Sequence, residues 1–269
     1  MEINEIEILS VGVDVGSSTS HLVFSNLLLK RDQRSVTKRF NIEQRDIIYE
    51  GQIIHTPLLD DNTIDIDTLT DFFRSEYQRA GIDPADIQTG AVIVTGESAR
   101  KQNARQIAQA LSNDAGRFVA ATAGPNFESL IAAMGSGAAA RSKDNRNTIL
   151  SCDVGGGTSN IAICRNGETL ATSCISVGGR LLGVDPKGKI WRIDEPAAKG
   201  MTHLRLRHQI GDSISKADIK KIAATFAEIL FEAIKGEPKS PLARELMLTA
   251  DLNFPDRIDE YSFSGGVAE

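Results

Sequence analysis

Two aspartates occupy the same position in two similar segments of this chain. Asp14 begins the sequence Asp-Val-Gly-Ser-Ser-Thr-Ser and Asp153 begins Asp-Val-Gly-Gly-Gly-Thr-Ser, so the two segments differ only in their fourth and fifth residues. Each segment lies between two apolar runs, a pattern that predicts a strand, a tight turn and a second strand. Hydrated Mg²⁺ binds proteins through few carboxylates, so both aspartates are candidate magnesium ligands.

Small residues fill both turns. The candidate phosphate-binding residues are Gly16, Ser17, Ser18 and Thr19 in the first turn, and Gly155, Gly156, Gly157 and Thr158 in the second. Glycine has no Cβ to block a ligand, and backbone N–H groups and hydroxyls in such turns converge on anions. We therefore expect the turns to bind the terminal phosphates of one nucleotide from two sides. An ordinary turn with an aspartate cap is the alternative for a single copy.

A third glycine motif follows the last apolar run. Residues 261–267 (YSFSGGV) predict a strand that leads into a turn. Ser264, Gly265 and Gly266 would let the adenosine part of a nucleotide approach the backbone closely, because glycine removes the side-chain barrier. An ordinary turn is the alternative here as well.

Composition and charge exclude several classes of partner. The chain has 269 residues, 41% hydrophobic and 25% charged, with a formal net charge of −6 and a pI near 5.4. This balance argues against nucleic acid or an anionic membrane as the main partner. The acidic beginning is unlike a secretory signal, and no apolar run reaches the roughly 20 residues of a membrane span. We expect a soluble, cytoplasmic protein whose three cysteines are buried, reduced thiols.

Apolar periodicity and turn residues predict the remaining elements. Strands are expected at 7–14, 19–27, 36–42, 47–54, 91–95, 118–122, 148–153, 159–165 and 168–177, and helices at 65–80, 98–111, 125–141 and 215–235. Antiparallel strands followed by alternating helices and strands predict a mixed sheet with helices on its faces. The second copy of the hairpin begins the same pattern again. The fold class is therefore α/β, with two similar domains.

The two domains are expected to meet at a nucleotide cleft. Residues 1–144 would form the first domain and residues 145–269 the second, with a short polar linker at 142–147 (SKDNRN). Ligand sites tend to form in clefts between domains. Gly178 and Gly179 are expected either in a loop beside the second turn or in a simple bend.

The order of the three glycine motifs resembles the actin, hexokinase and heat-shock-70 ATPase superfamily. The resemblance covers essentially the whole chain and implies two actin-like (ribonuclease H-like) ATPase domains that bind ATP, or ADP after hydrolysis, together with Mg²⁺. It also implies that the helix beginning near Pro125 connects the domains. Glu128 on this helix is a candidate for the catalytic residue that orients the attacking water. An acidic residue placed at a helix N-terminus for its favourable dipole interaction is an equally good interpretation of Glu128.

A closer resemblance is to the family of ethanolamine ammonia-lyase reactivating factors, which belong to bacterial ethanolamine utilisation. It rests on residues 11–21, 94–100, 123–128 and 150–160. The family implies a chaperone-like ATPase that releases damaged cobalamin from the inactivated lyase so that adenosylcobalamin can bind again. The lyase as partner, and a place in or near a bacterial microcompartment, follow from this resemblance alone.

One departure from the superfamily concerns the second domain. Superfamily chains usually continue well beyond the adenosine motif, whereas this sequence has two residues after Val267. We therefore expect an incomplete second domain, with an exposed apolar face or sheet edge that favours self-association.

Two other functions fit the same motifs. A small-metabolite kinase or phosphatase of the superfamily would need a substrate pocket beside the γ-phosphate, and no sugar-binding signature is evident. An actin-like filament or scaffold protein would assemble in an ATP-dependent way.

Overall fold

The computed structural model describes residues 4–16, 19–32, 39–60, 63–95, 106–107, 118–122, 124–236 and 240–268. The chain divides into two compact units, Met1–Ala123 and Gly124–Glu269. Each unit is built around its own mixed sheet. We refer to them as unit 1 and unit 2.

Unit 1 contains one larger sheet and a short hairpin. Its strands are β1 (Glu5–Val15), β2 (Thr19–Arg31), β3 (Phe40–Glu50), β4 (Ile54–His55), β5 (Leu58–Asp60), β6 (Thr63–Ile64), β7 (Thr89–Val94) and β8 (Phe118–Thr122). The sheet order is β3-β2-β1-β7-β8, with β4 beside β2. The first three strands are antiparallel, whereas β1, β7 and β8 are parallel.

Helix α1 (Ile66–Ala80) covers one face of this sheet. Asp65 caps its N-terminus by accepting a hydrogen bond from the Thr68 amide, and Gly81 ends it with φ 67°. Its apolar side, with Leu69 and Phe73, packs in a core with alternate residues of β1, β2 and β7. The predicted helix at 65–80 is therefore confirmed.

The prediction of two separate strands at 36–42 and 47–54 is wrong. A single strand, β3, runs from Phe40 to Glu50, and β-bulges opposite β2 interrupt its register twice. Ile42 and Ile47 on this strand are 52% and 56% exposed. The apolar residues form two runs bordered by charged residues, and the bulges accommodate this irregular spacing within one strand.

Unit 2 contains a four-stranded sheet and a separate two-stranded one. Its strands are β9 (Thr148–Val154), β10 (Ser159–Arg165), β11 (Glu168–Ile175), β12 (Leu182–Val184), β13 (Ile190–Ile193) and β14 (Glu260–Ser264). The larger sheet has the order β11-β10-β9-β14, in which β14 is parallel to β9 and the other pairs are antiparallel. The predicted strands of the second hairpin and the strand before Ser-Gly-Gly are confirmed.

Helices cover both faces of the β9–β10 hairpin. The helices of unit 2 are α2 (Pro125–Gly135), α3 (Ala138–Asn145), α4 (Glu195–His203), α5 (Lys216–Ile234) and α6 (Pro241–Leu246). Ile161 and Ile163 of β10 belong to the core formed with α4, α5 and α6. On the opposite face, Ala162 and Cys164 pack against Ala133 and Ala139 of α2 and α3, where small side chains allow a close approach.

The predicted helix at 125–141 is broken in two. Gly137, with φ 76°, separates α2 from α3, and the left-handed conformation that it adopts interrupts the helical path. The segment 142–147 is not the expected linker, since α3 continues to Asn145 and Ser142 is fully buried. The domain division expected between residues 144 and 145 falls in the last turn of α3.

Edge strand β14 has an uncovered apolar face. Tyr261 and Phe263 are in register with Leu150 and Cys152 of β9 and therefore share their side of the sheet. Leu150 and Cys152 are buried in the core, but Tyr261 and Phe263 are 55% and 50% exposed.

The α/β class with mixed sheets is thus confirmed in both units. Cys152, Cys164 and Cys174 are buried free thiols on three adjacent strands. Of the helices that the structure describes, none is both long and apolar enough to cross a membrane. Of the predicted helix at 98–111, only residues 106–107 are described, and they are helical.

Candidate functional site

The first turn joins β1 to β2 and brings Asp14 to the end of its strand. Asp14 pairs with His21 in the antiparallel register, and the Gly16 amide donates to the Thr19 carbonyl at 2.9 Å. A Cβ on Gly16 would lie 2.8 Å from that carbonyl oxygen, so only glycine fits here without a shift. Ser17 and Ser18, two of the expected phosphate ligands, lie outside the described residues.

Hydroxyl groups hold the first turn in place. Thr56 donates to the Gly16 carbonyl at 2.7 Å, and its hydroxyl lies 2.9 Å from that of Ser20. Thr95 donates to Asp14 Oδ1 at 3.3 Å. Thr95 follows β7, so the parallel strand beside β1 positions a hydroxyl next to the aspartate. Sequence reasoning did not assign Thr56 or Thr95 to this site, because their link to the turn depends on strand pairing.

Partial burial affects the histidine beside Asp14. Burial lowers the pKa of His21 below its ordinary value, and the nearby Glu50 carboxylate opposes that shift. The neutral imidazole is therefore the main form of His21 at pH 7.

The second turn repeats this hydrogen bonding in unit 2. The Gly155 amide donates to the Thr158 carbonyl at 3.0 Å, the counterpart of the bond between Gly16 and Thr19. Asp153 pairs with Asn160 in the register, as Asp14 pairs with His21. Thr158 is buried, whereas Asp153, Gly155 and Gly156 are partly accessible. The aspartate and the first two glycines of this turn are therefore partly open to a ligand.

The Ser-Gly-Gly motif lies directly beside the second turn. Ser264 donates to Asp153 Oδ1 at 2.7 Å, because β14 runs parallel to β9 and places the two residues in register. Gly265 has φ 89°, and a Cβ there would lie 2.5 Å from the Val154 carbonyl oxygen. Two motifs separated by about a hundred residues are therefore in contact, and Gly266 follows them in a turn where a Cβ would meet nothing within 4 Å.

Glu128 lies in the first turn of α2, which packs against the sheet of unit 2. Its neighbour Ser129 donates to Asn160 Oδ1 at 3.2 Å and to the Ser173 carbonyl at 3.0 Å. Asn160 is the register partner of Asp153. Glu128 is therefore carried by a helix anchored beside the second turn, and its catalytic role stays a prediction.

Asp14 and Asp153 also stay candidate magnesium ligands. Among the residues that the structure describes, no group of three or more His, Cys, Asp or Glu side chains could hold a metal ion. A Mg²⁺ ion at these turns would take most of its ligands from water and phosphate oxygens. Such a shell is typical of Mg²⁺ bound together with a nucleotide.

Comparison with known families supports the resemblance seen in the motifs. The sequence model of the family described as "Ethanolamine utilisation protein EutA" matches residues 6–269. The chain belongs to the EutA family. Both turns and the Ser-Gly-Gly motif lie inside the matched region.

Two curated relatives cover the same region of this EutA family member. The ethanolamine ammonia-lyase reactivase EutA of Salmonella typhimurium is 36% identical over 267 residues, and that of Escherichia coli is 35% identical over 267 residues. Each match covers 99% of this chain and 57% of the relative. The chain thus spans little more than half the length of these relatives.

The fold also has more distant neighbours among solved structures. MreB5 of Spiroplasma citri, solved bound to ADP, is 15% identical, with a TM-score of 0.44 over 97% of this chain and 85% of that one.

Proposed function

We propose that this chain binds ATP with Mg²⁺ through its two Asp-Val-Gly turns. The observation that carries the proposal is the contact of the Ser-Gly-Gly motif with the second turn. Ser264 binds Asp153, and Gly265 packs against the Val154 backbone. The turn proposed to bind phosphate and the backbone proposed to bind adenosine are adjacent, which supports the proposal.

Each motif would contribute a different interaction. In the second turn, Gly156 and Gly157 would donate amides to phosphate oxygens, while the Gly155 amide keeps its bond to the Thr158 carbonyl. In the first turn, the hydroxyls of Thr19 and of the two serines between Gly16 and Thr19 would bind the phosphates. Asp14 and Asp153 would hold Mg²⁺ through its water ligands, and the ion would neutralise charge on the phosphates. Ser264 orients the Asp153 carboxylate from the side, so that its second oxygen, Oδ2, stays available to the ion.

We further propose that nucleotide binding serves the reactivation of ethanolamine ammonia-lyase. The support is that two relatives, 35–36% identical to this chain, are reactivases of that enzyme. A nucleotide that binds two conformations with different affinity shifts their equilibrium and so changes how a partner is held. In this way ATP would favour release of damaged cobalamin from the lyase, in the cytoplasm or within a microcompartment.

The reactivation proposal is tested with lyase inactivated by bound hydroxocobalamin. This chain, ATP, Mg²⁺ and adenosylcobalamin are added, and recovery of ethanolamine deamination is followed. We expect recovery that requires both ATP and Mg²⁺, with the full-length Salmonella typhimurium relative as the positive control. Recovery with the relative but not with this chain would overturn the reactivation proposal for this chain.

Two further measurements, made without the lyase, test the other two functions. ATP-dependent phosphorylation or phosphate release from small metabolites without the lyase would favour a kinase or phosphatase. ATP-dependent sedimentation would favour a filament or scaffold.

A further inference from the structure

A loop that follows β11 lies directly against the second turn. The Gly179 amide donates to the Gly155 carbonyl at 3.0 Å, and the Arg180 amide donates to the Gly156 carbonyl at 2.8 Å. Two consecutive backbone hydrogen bonds fix this loop, residues 177–180, to the two glycines that begin the turn. The position of Arg180 relative to the turn is therefore set by the backbone.

Close approach in this loop requires glycine. A Cβ on Gly178 would lie 2.4 Å from the Gly156 carbonyl oxygen and 2.6 Å from the Gly157 nitrogen, both of them backbone atoms. Real side chains essentially never come so near, so any other residue would push the loop away from the turn. The absence of a side chain at Gly178 brings Arg180 next to the second turn.

Arg180 is exposed and has no acidic partner among the described residues. Other arginines of unit 2 do have such partners: Arg192 binds Asp194, and Arg165 binds Asp256. Arg180 is also the only cationic residue, within the described part of the chain, that hydrogen-bonds to residues 153–158. The second turn thus combines neutral amide donors, one carboxylate and one arginine that is not neutralised.

We propose that Arg180 binds the phosphates of the nucleotide at the second turn. Neutral amides orient phosphate oxygens but bring no net positive charge, and Asp153 adds a negative one. A guanidinium group offers several donors in one plane and matches two phosphate oxygens at once. This inference rests on the proposed nucleotide binding and adds to it a positively charged side chain that binds the phosphates.

Binding measurements on Arg180→Gln, Arg180→Lys and the matched control Arg207→Gln test the proposal. Arg207 is also exposed, has no acidic partner in the described structure and does not hydrogen-bond to the turn, so its variant removes the same charge elsewhere in unit 2. Affinities for ATP and adenosine are measured in the presence of Mg²⁺ by competition with a fluorescent ATP analogue, and melting curves check the fold.

We expect Arg180→Gln to weaken ATP binding about tenfold or more, since a charge-assisted hydrogen bond is lost. The adenosine affinity and the melting temperature of Arg180→Gln should match those of the wild type. The ATP affinity of Arg180→Lys should lie between those of the wild type and Arg180→Gln. Arg207→Gln should bind ATP like the wild type. Equal ATP affinity in Arg180→Gln and the wild type would overturn the role of Arg180 and leave the proposed function standing. Equal losses for ATP and adenosine would show a structural role and also overturn it. A wild type that binds no nucleotide would overturn both.

Discussion

Helices cover both faces of the β9–β10 hairpin. The helices that the structure describes cover the β1–β2 hairpin on one face only. On β10, Ile161 faces the α4–α6 core and Ala162 faces α2 and α3. On β1, Val11 and Val13 face α1. The opposite face of β1 carries Gly12, and a Cβ added there would meet nothing within 4 Å.

Two turns of nearly the same sequence are therefore held by different means. A hydroxyl binds the aspartate of each turn, from Thr95 to Asp14 and from Ser264 to Asp153. The backbone of the first turn is held by the Thr56 hydroxyl, which donates to the Gly16 carbonyl. Backbone contacts with Gly178, Gly179 and Gly265 secure the second. The shared turn sequence therefore specifies the hydrogen bond within each turn, whereas the surrounding elements determine which other contacts support the turn.

The two hairpins should differ most in the stability that is lost when a large side chain is truncated to alanine. Ile161→Ala should lower the free energy of unfolding by about 2–5 kcal/mol, because the residue is fully buried between packed side chains. Leu27→Ala, on the less covered face of β2, should cost less than about 1.5 kcal/mol, since its side chain is only partly buried. Urea unfolding of both variants measures the difference. Similar losses would show that the first hairpin is covered as well as the second.

Replacing a glycine by alanine should also lower the stability more beside the second turn than on β1, although by less than a truncation in the core. Gly178→Ala should destabilise unit 2 by about 1–3 kcal/mol and weaken ATP binding, because the new Cβ collides with the backbone of the second turn. Gly12→Ala should have almost no effect, since its Cβ enters open space. Thermal melting and ATP titration test the pair. A neutral Gly178→Ala variant would contradict the close contact described for residues 177–180.

The hydroxyl partners of the two aspartates should differ more modestly. Ser264→Ala removes the 2.7 Å hydrogen bond to Asp153 and should cost about 1 kcal/mol of unfolding free energy. Thr95→Val removes the 3.3 Å bond to Asp14 and should cost less, because that bond is longer and weaker. Chemical unfolding in the presence and absence of Mg²⁺-ATP compares the two. A larger loss for Thr95→Val would reverse the order that the geometry predicts.

Thiol labelling compares how well β9 and β10 are covered with how well β1 is covered, and it uses the native protein. Burial, with a smaller contribution from Asp153, raises the pKa of Cys152 to about 12, and burial also raises the pKa of Cys164. Deprotonated thiols are the reactive form, so the native wild type should not react with iodoacetamide at pH 8. A Gly12→Cys variant should gain one reactive thiol at once, and mass spectrometry counts the labels. Rapid labelling of the native wild type would contradict the double coverage of β9 and β10.

Local patterns in the sequence were enough to predict most elements near the sites. Asp65 and Gly81 mark the two ends of α1, and apolar runs on each side of Asp153 mark β9 and β10. The sequence did not reveal the break at Gly137, because glycine is tolerated inside a helix and its φ depends on the surrounding packing. The irregular spacing of β3 was missed for a similar reason, since a bulge has no fixed residue pattern.

The candidate site was predicted in its residues but not in their contacts. Asp153 and Ser264 were both named, yet their hydrogen bond depends on the parallel pairing of β14 with β9. Gly178 and Gly179 were expected in a loop beside the second turn or in a simple bend, and the hydrogen bond from the Gly179 amide to the Gly155 carbonyl confirms the loop. Contacts between residues so far apart in the chain are set by topology, which local periodicity does not encode.

The central claim, that the Asp-Val-Gly turns bind Mg²⁺-ATP, is tested most directly by calorimetric titration of ATP. The wild type is compared with Asp14→Asn and Asp153→Asn, in Mg²⁺ and in excess chelator, and asparagine keeps the size of the side chain while removing its charge. We predict ATP binding that requires Mg²⁺ and weakens about tenfold or more in each variant, because a charged Mg²⁺ contact is lost. ATP binding that is unchanged in both variants, or that is the same with and without Mg²⁺, would contradict this account.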